Sequence, residues 1–292
     1  MPAPPSPTAA QPISPQAPTS LPVLFVPHGA PSFALHPGPA GAALTRFATG
    51  LPRPRAILVV SAHWSTDEPT VGGAEWPQTI HDFHGFPAAL DAIRYPAQGA
   101  PALADEIAAT LAAAGFAARV DRQRGLDHGA WIPLRLLYPE ADVPVLTLSL
   151  QAHRGAEHHL RLGRALTGLP SAGVLLVASG NLTHNLADFR LGGGSAEAPA
   201  YVRRFADWVW QQLERGSAEA LLRYRGLAPD AARAHPSEEH LLPLFVALGA
   251  AGNDWRAERL YSGIDDRVLA MDSFAFRPRN AANHEHASGE NA

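Results

Sequence analysis

Fourteen histidines and no cysteine set the chemical range of this 292-residue chain. Without thiols there is no disulfide, thiolate nucleophile, iron–sulfur cluster or zinc–thiolate site. All 23 basic residues are arginines, so Schiff-base and Walker-type lysine chemistry fall away as well. Any metal must be held by His, Asp or Glu. Four histidines stand where such a site could be built. His28, His63 and His184 follow apolar runs, and His240 opens a predicted helix. Neutral imidazole suits iron, zinc, copper and nickel. Two histidines with a third histidine or a carboxylate, and positions left open, make a catalytic site rather than a closed structural one. Glu238 and Glu239 directly precede His240, so a carboxylate in the third place stays open beside the imidazole. The remaining histidines have plainer readings. His153, His158 and His159 fall on or near a polar helix and read as solvated, His36 and His235 as loop residues, and His284 and His286 as part of a polar tail.

The elements that must carry the four histidines are strands. Residues 57–60 are four apolar residues without alternation, three of them β-branched, and lead into Ser61-Ala62-His63-Trp64. Such a run reads as a strand covered on both faces. Residues 23–26 before Pro27-His28, and 174–177 before the string from Ser179 to His184, repeat the layout. In open α/β sheets ligands bind beyond the carboxyl ends of strands, where these histidines fall. Further strands are expected at 117–120, 143–150, 259–262 and 267–276. Helices are expected at 39–50, 101–114, from about 128 to 138, 155–168, 198–215 and 217–224, and from an N-cap at Ser237 through 248. Residues 65–100 read as a long loop, dense in histidine and aromatic groups at 80–87.

This alternation predicts a three-layer α/β/α architecture: a single, mostly parallel (mixed) central sheet with helices on both faces. The closing strands have little helix between them, which predicts an antiparallel edge. Residues 21–277 are expected to form a single catalytic domain. Residues 1–20, with seven prolines, and 278–292 are expected to be disordered tails, and Gly192-Gly193-Gly194-Ser195 a flexible connection. A hydrophobic fraction of 46% against 17% charged residues suits a compact soluble protein. A net charge of −4 without a basic run argues against nucleic-acid or anionic-membrane partners. No apolar run reaches transmembrane length and no signal peptide is visible, so a cytoplasmic location is expected by default. Whether the chain is a monomer or a homodimer is left open by the pattern.

Six strings in collinear order, over roughly residues 21–276, resemble one family. They are Pro27-His28-Gly29-Ala30-Pro31-Ser32, Ser61-Ala62-His63-Trp64, Thr79-Ile80-His81-Asp82-Phe83, Asp127-His128-Gly129-Ala130-Trp131, Ser179-Gly180-Asn181-Leu182-Thr183-His184-Asn185-Leu186 and Glu239-His240-Leu241-Leu242-Pro243-Leu244. The family is the DOPA-type extradiol ring-cleaving dioxygenases of the class III, LigB-like superfamily. The resemblance implies a mononuclear Fe(II) enzyme that opens a small catechol, DOPA- or caffeate-like, beside its two hydroxyls with O2, giving a ring-opened semialdehyde. Zn(II) could occupy the same ligands. By likeness, His28 and His63 would bind metal from two neighbouring strand ends and His240 would complete the set. His184 would act as acid and base in the pocket, with a place as an additional ligand, and His128 would be a further pocket histidine. Ser32, Trp64, His81 and Asn181, in the same strings, would meet the substrate. The loop departs from the family pattern at His84, where Gly or Tyr is usual. Arg53, Arg55, Arg94 and Arg135 could each meet a substrate carboxylate, and no spacing singles one out. The competing readings are a zinc hydrolase on this scaffold, with Glu239 as base, and a metal-binding or interaction protein without catalysis.

Overall fold

The computed structural model describes residues 20–191 and 197–279. Residues 1–19, the 192–196 segment with its glycine run, and 280–292 with His284 and His286 lie outside the described residues.

The first half of the chain runs β1 Val23–Pro27, α1 Gly38–Thr49, β2 Ala56–Ser65, β3 Thr70–Gly72, α2 Pro101–Ala113, β4 Arg119–Asp121, α3 His128–Leu137 and β5 Val145–Leu150. It continues through α4 Gly155–Arg164, β6 Val174–Gly180, α5 Leu186–Leu191 and α6 Ala200–Arg215. Three short helices follow, α7 Ala218–Leu222, α8 Tyr224–Leu227 and α9 Ala231–Ala234, and then α10 Leu242–Ala250. The chain closes with β7 Trp255–Tyr261, the small pair β8 Ile264–Asp265 and β9 Leu269–Ala270, and β10 Ser273–Pro278.

Eight strands form one sheet in the order β4-β3-β5-β2-β6-β1-β10-β7. The centre, β5-β2-β6-β1, is parallel, and β10 and β7 close one side antiparallel as expected. At the other side β3 lies antiparallel to β5, inside the stretch read as loop from sequence. Its three residues are too few for a periodic signal. The expected strand over 267–276 also divides, into β9 and β10, and β10 runs on to Pro278, where a tail was expected.

The apolar runs are continuous because both faces of the sheet are covered, and successive side chains enter opposite layers. Phe25, Leu58, Val60, Leu148 and Leu176 pack under α2, α4, α6 and α10. Leu24, Val26, Ile57, Val59, Leu175 and Val177 pack under α1 and α3, around Leu44, Trp131 and Leu134. No helix among the described residues is long and apolar enough to cross a membrane.

Parallel pairing aligns the carboxyl ends of β1, β6 and β2. Val26 faces Ser179, and Ser179 in turn faces Ser61. His28 and His63 each stand two residues beyond this row. They do not come from neighbouring strands, as the sequence reading had it, because β6 lies between β1 and β2. Beyond Val60 the register of β2 with β5 shifts, and the strand end carrying His63 leaves the regular ladder. The helix expected to begin at Ser237 begins at Leu242 instead. The Ser237 hydroxyl donates to the Glu239 carboxylate, and His240 sits in the turn ahead of α10.

Candidate metal centre

His28, His63 and His240 point their Nε2 atoms at one another. The separations are 3.0 Å from His63 to His28 and 3.3 Å from His63 to His240. Two nitrogens each about 2.1 Å from one ion, at roughly a right angle, would stand about 3 Å apart, so these spacings suit a shared ion. Burial pulls the pKa values of His28 and His240 well below the ordinary 6.5, and the surrounding imidazoles pull the same way. Burial and the neighbouring His128 likewise lower His63, to about 3, against the opposing pull of Asp82. All three are therefore neutral near pH 7, the form in which imidazole binds metal.

Each of the three has a polar group behind it. His28 Nδ1 lies 3.0 Å from Ser179 Oγ, whose own proton goes to the carbonyl of Gly129. His240 Nδ1 lies 3.2 Å from a Glu239 carboxylate oxygen. Asp82 stands 3.7 Å from His63 Nδ1. The partners of His28 and His240 set the tautomer and turn the ring, while Asp82 faces His63 as a nearby charge. Two glycines admit the close packing this needs. A Cβ on Gly129 would sit 2.4 Å from Ser61 Oγ and 3.0 Å from the His63 ring, and one on Gly180 would sit 2.2 Å from the His240 carbonyl. The backbone N–H of Asn181 donates to that same carbonyl at 3.0 Å, tying the His240 turn to the end of β6.

His184 and His128 flank the triad. The His184 ring lies parallel to that of His240, with centroids 3.4 Å apart, and burial lowers its pKa to about 4. His128 is the first residue of α3, whose N-cap Asp127 accepts from Ala130 N–H. One Asp82 oxygen accepts from both the backbone N–H of His128, at 2.9 Å, and its Nδ1, at 3.0 Å. Burial alone would raise the Asp82 pKa, but the His128 hydrogen bonds and the nearby imidazoles hold it at about 2. Asp82 is thus an anion that fixes His128 and faces His63. All of this opens into a cavity of about 660 Å³, walled by Phe83, Phe86, Leu186, Phe189 and Leu269, with His84 and Arg190 also on its lining. A mostly apolar cleft with a few convergent polar groups is the usual form of a small-molecule site.

Of the residues the sequence reading assigned to the site, His28, His63, His128, His184 and His240 come together. Ser32, Trp64, His81 and Asn181 do not line the cavity. Trp64 directly follows His63 in a strand, so it turns to the other side. There it lies under the Arg124 guanidinium, 5.0 Å away, and borders a separate hollow. Ser32 faces a second hollow beside His36 and Asp265. The His81 Nε2 is 3.0 Å from the Ile93 carbonyl, and Asn181 is fully buried, accepting from Gly29 N–H. Glu238 is held by Tyr224 and Arg225 and stands apart from the three nitrogens. Arg53, Arg55, Arg94 and Arg135 do not line the cavity either.

His159, expected to be solvated, and His235, expected to be a loop residue, are both core residues. His159 is fully buried, with Nδ1 2.6 Å from the Gly155 carbonyl and Nε2 accepting from Gln151 N–H. His235 is fully buried, with Nε2 2.7 Å from the Leu182 carbonyl. His158, also read as solvated, is half-buried and bonds the Gln151 side chain. Asp82, Ser179 and Arg190 had no role assigned from sequence. The first two lie inside quoted strings, which was their only signal.

Most of the chain's length is similar to known proteins. Residues 42–266 match the family of the catalytic LigB subunit of aromatic ring-opening dioxygenases. A Beta vulgaris protein named 4,5-DOPA dioxygenase extradiol is 44% identical over 225 residues, covering 77% of this chain and 83% of that protein. An Escherichia coli protein of the same name is 39% identical over 240 residues, covering 80% and 86%. The crystal structure of an uncharacterised Escherichia coli K12 protein superposes with a TM-score of 0.72 at 32% identity, over 87% of this chain and 99% of that one. The chain belongs to the LigB family and is an extradiol aromatic ring-opening dioxygenase.

Proposed function

We propose that the protein opens a small catechol of the DOPA or caffeate type by extradiol cleavage with O2, using Fe(II) held by His28, His63 and His240. The observation that carries this reading is the convergence of three neutral imidazole nitrogens, with His63 and His240 on the lining of an aromatic-walled cavity and buried His28 3.0 Å from His63, and with a fourth and fifth imidazole beside them. The names of the relatives, 4,5-DOPA dioxygenase extradiol, support the substrate class. Three ligands on one side leave room for both catechol oxygens and for O2. Bound iron supplies the electron exchange that lets O2 react with an organic ring, which zinc on the same ligands could not do.

The chain's own residues do the rest. His184, neutral because it is buried, accepts the proton of a substrate hydroxyl as the catechol seats. Asp82 accepts from His128 Nδ1, which leaves His128 Nε2 free to hydrogen-bond the substrate. Phe83, Phe86, Phe189, Leu186 and Leu269 exclude water and hold an aromatic ring. The protein should be loaded anaerobically with Fe(II) and then given O2 and catechols such as DOPA or caffeate. A yellow ring-opened semialdehyde, with one O2 consumed per catechol, is expected. No O2 uptake across a broad catechol panel would overturn the reading.

A further inference from the structure

The cavity wall carries one arginine among the described residues, and it is none of the four considered from sequence. Arg190 lines the cavity together with Leu186 and Phe189. Those positions are i, i+3 and i+4 of α5, so they share one helical face. The helix is anchored at its start: the Asn185 side chain accepts from the N–H groups of Ala187 and Asp188, and Asp188 pairs with Arg233 at 3.0 Å. α5 therefore presents an apolar surface bordered by a guanidinium. The two carboxylates on the same lining are already committed, Asp82 to His128 and Glu239 to His240. The Arg190 guanidinium makes no hydrogen bond or ion pair with any described residue. The other four arginines are all engaged: Arg53 with Asp142, Arg55 with the Ala172 carbonyl, Arg94 with carbonyls of its own loop, and Arg135 with the Ala34 carbonyl.

We infer that Arg190 receives a carboxylate on the ring substituent of the catechol, so that the enzyme selects anionic catechols over neutral and cationic ones. This rests on the extradiol reading above. A ring seated with its hydroxyls at the histidines presents its substituent to the rest of the lining. A planar guanidinium is suited to take a carboxylate there through two parallel hydrogen bonds. Phe189, the preceding residue, offers the ring an apolar contact from the same helix face.

The test compares 3-(3,4-dihydroxyphenyl)propionate, 4-ethylcatechol and dopamine, which share the catechol and differ in substituent charge. Steady-state kcat/KM on the Fe(II) enzyme is measured beside anaerobic calorimetric affinities for the same three compounds. The wild type should favour the propionate over 4-ethylcatechol by about tenfold, with dopamine poorest, as a charge-assisted contact would give. Arg190→Gln should bring the ratio of propionate to ethylcatechol close to one, mainly through KM. Arg190→Lys should keep part of the preference, and Arg190→Glu should turn it toward dopamine. Equal ratios in wild type and Arg190→Gln would overturn the inference, as would a wild type indifferent to charge. If no catechol is cleaved yet the anaerobic affinities still follow Arg190, the carboxylate site stands and the ring-opening reading falls. If cleavage proceeds with charge-blind affinities, the carboxylate site falls alone.

Discussion

Nδ1 of His28 lies 3.0 Å from Oγ of Ser179, and that hydroxyl already donates to the carbonyl of Gly129. A hydroxyl has one proton, so toward His28 it must accept. His28 therefore carries its hydrogen on Nδ1 and turns the lone pair of Nε2 toward His63 and His240. One serine on β6, the strand between the two that bring His28 and His63, sets the tautomer of the residue just past β1 and grips the first turn of α3.

Replacing Ser179 by Ala should lower metal affinity by about tenfold to a hundredfold, the usual cost of losing the partner behind a ligand histidine. The Gly129 carbonyl would also lose its partner in a buried place, costing about 1–3 kcal/mol of stability. Competition against a chelator measures the first effect and urea unfolding of the metal-free protein the second. Unchanged affinity with lowered stability would make Ser179 a packing residue and nothing more.

The stack of His184 on His240 puts two imidazoles side by side that we assign to different tasks. His240→Ala should lose metal, because two ligands remain of three. His184→Ala should retain metal and lose turnover by about a hundredfold to ten-thousandfold, the range for a missing proton-transfer group. Metal content by elemental analysis, alongside O2 uptake, separates the two. Loss of metal from His184→Ala would move His184 into the ligand set.

The parts of this site that were legible in the sequence are those written locally. A buried parallel strand shows as an unbroken apolar run, and His28, His63 and His184 follow such runs. What was not legible depends on which strand lies next to which. No local pattern tells that β6 separates β1 from β2, so neither the partnership of Ser179 with His28 nor the correct strand relation of His28 and His63 could be read. Trp64 is adjacent to His63 in the string, but strand alternation sends neighbouring side chains to opposite sides, so it borders a different hollow. His159 and His235 look polar in sequence and are buried because distant or turn carbonyls, Gly155 and Leu182, accept from them. Arg190 lacked a signal because its value lies in sharing a helix face with cavity residues, beside a cavity other elements build.

Asp82 holds His128 by two hydrogen bonds to one oxygen and faces His63 with the other. Asp82→Asn keeps an acceptor but removes the charge. The three nitrogens should still hold metal, while kcat falls by about tenfold to a hundredfold as the bond behind His128 loses its charge. Measured metal stoichiometry near wild type with a reduced kcat is the expected result. A variant with full kcat would show that His128 needs no carboxylate behind it.

Stability should fall as pH drops below 6.5, and His235 and His159 give the direction. In the unfolded chain both imidazoles bind a proton near pH 6.5. In the folded protein burial holds His235 at about 3 and His159 at about 4. Between those values and 6.5 the unfolded state binds more protons, so unfolding becomes easier as pH decreases, and the effect is complete only below the folded values. Each such histidine contributes a slope approaching about 1.4 kcal/mol per pH unit. Urea unfolding of the metal-free protein at several values between pH 5 and 6.5 gives that slope directly, free of proton competition with metal. His235→Gln should be less stable at pH 7, because the bond to the Leu182 carbonyl is disturbed, yet its slope should be shallower by about one histidine's worth. If the slope is the same in both proteins, His235 takes up its proton without unfolding, and the neutral, buried imidazole described for it is wrong.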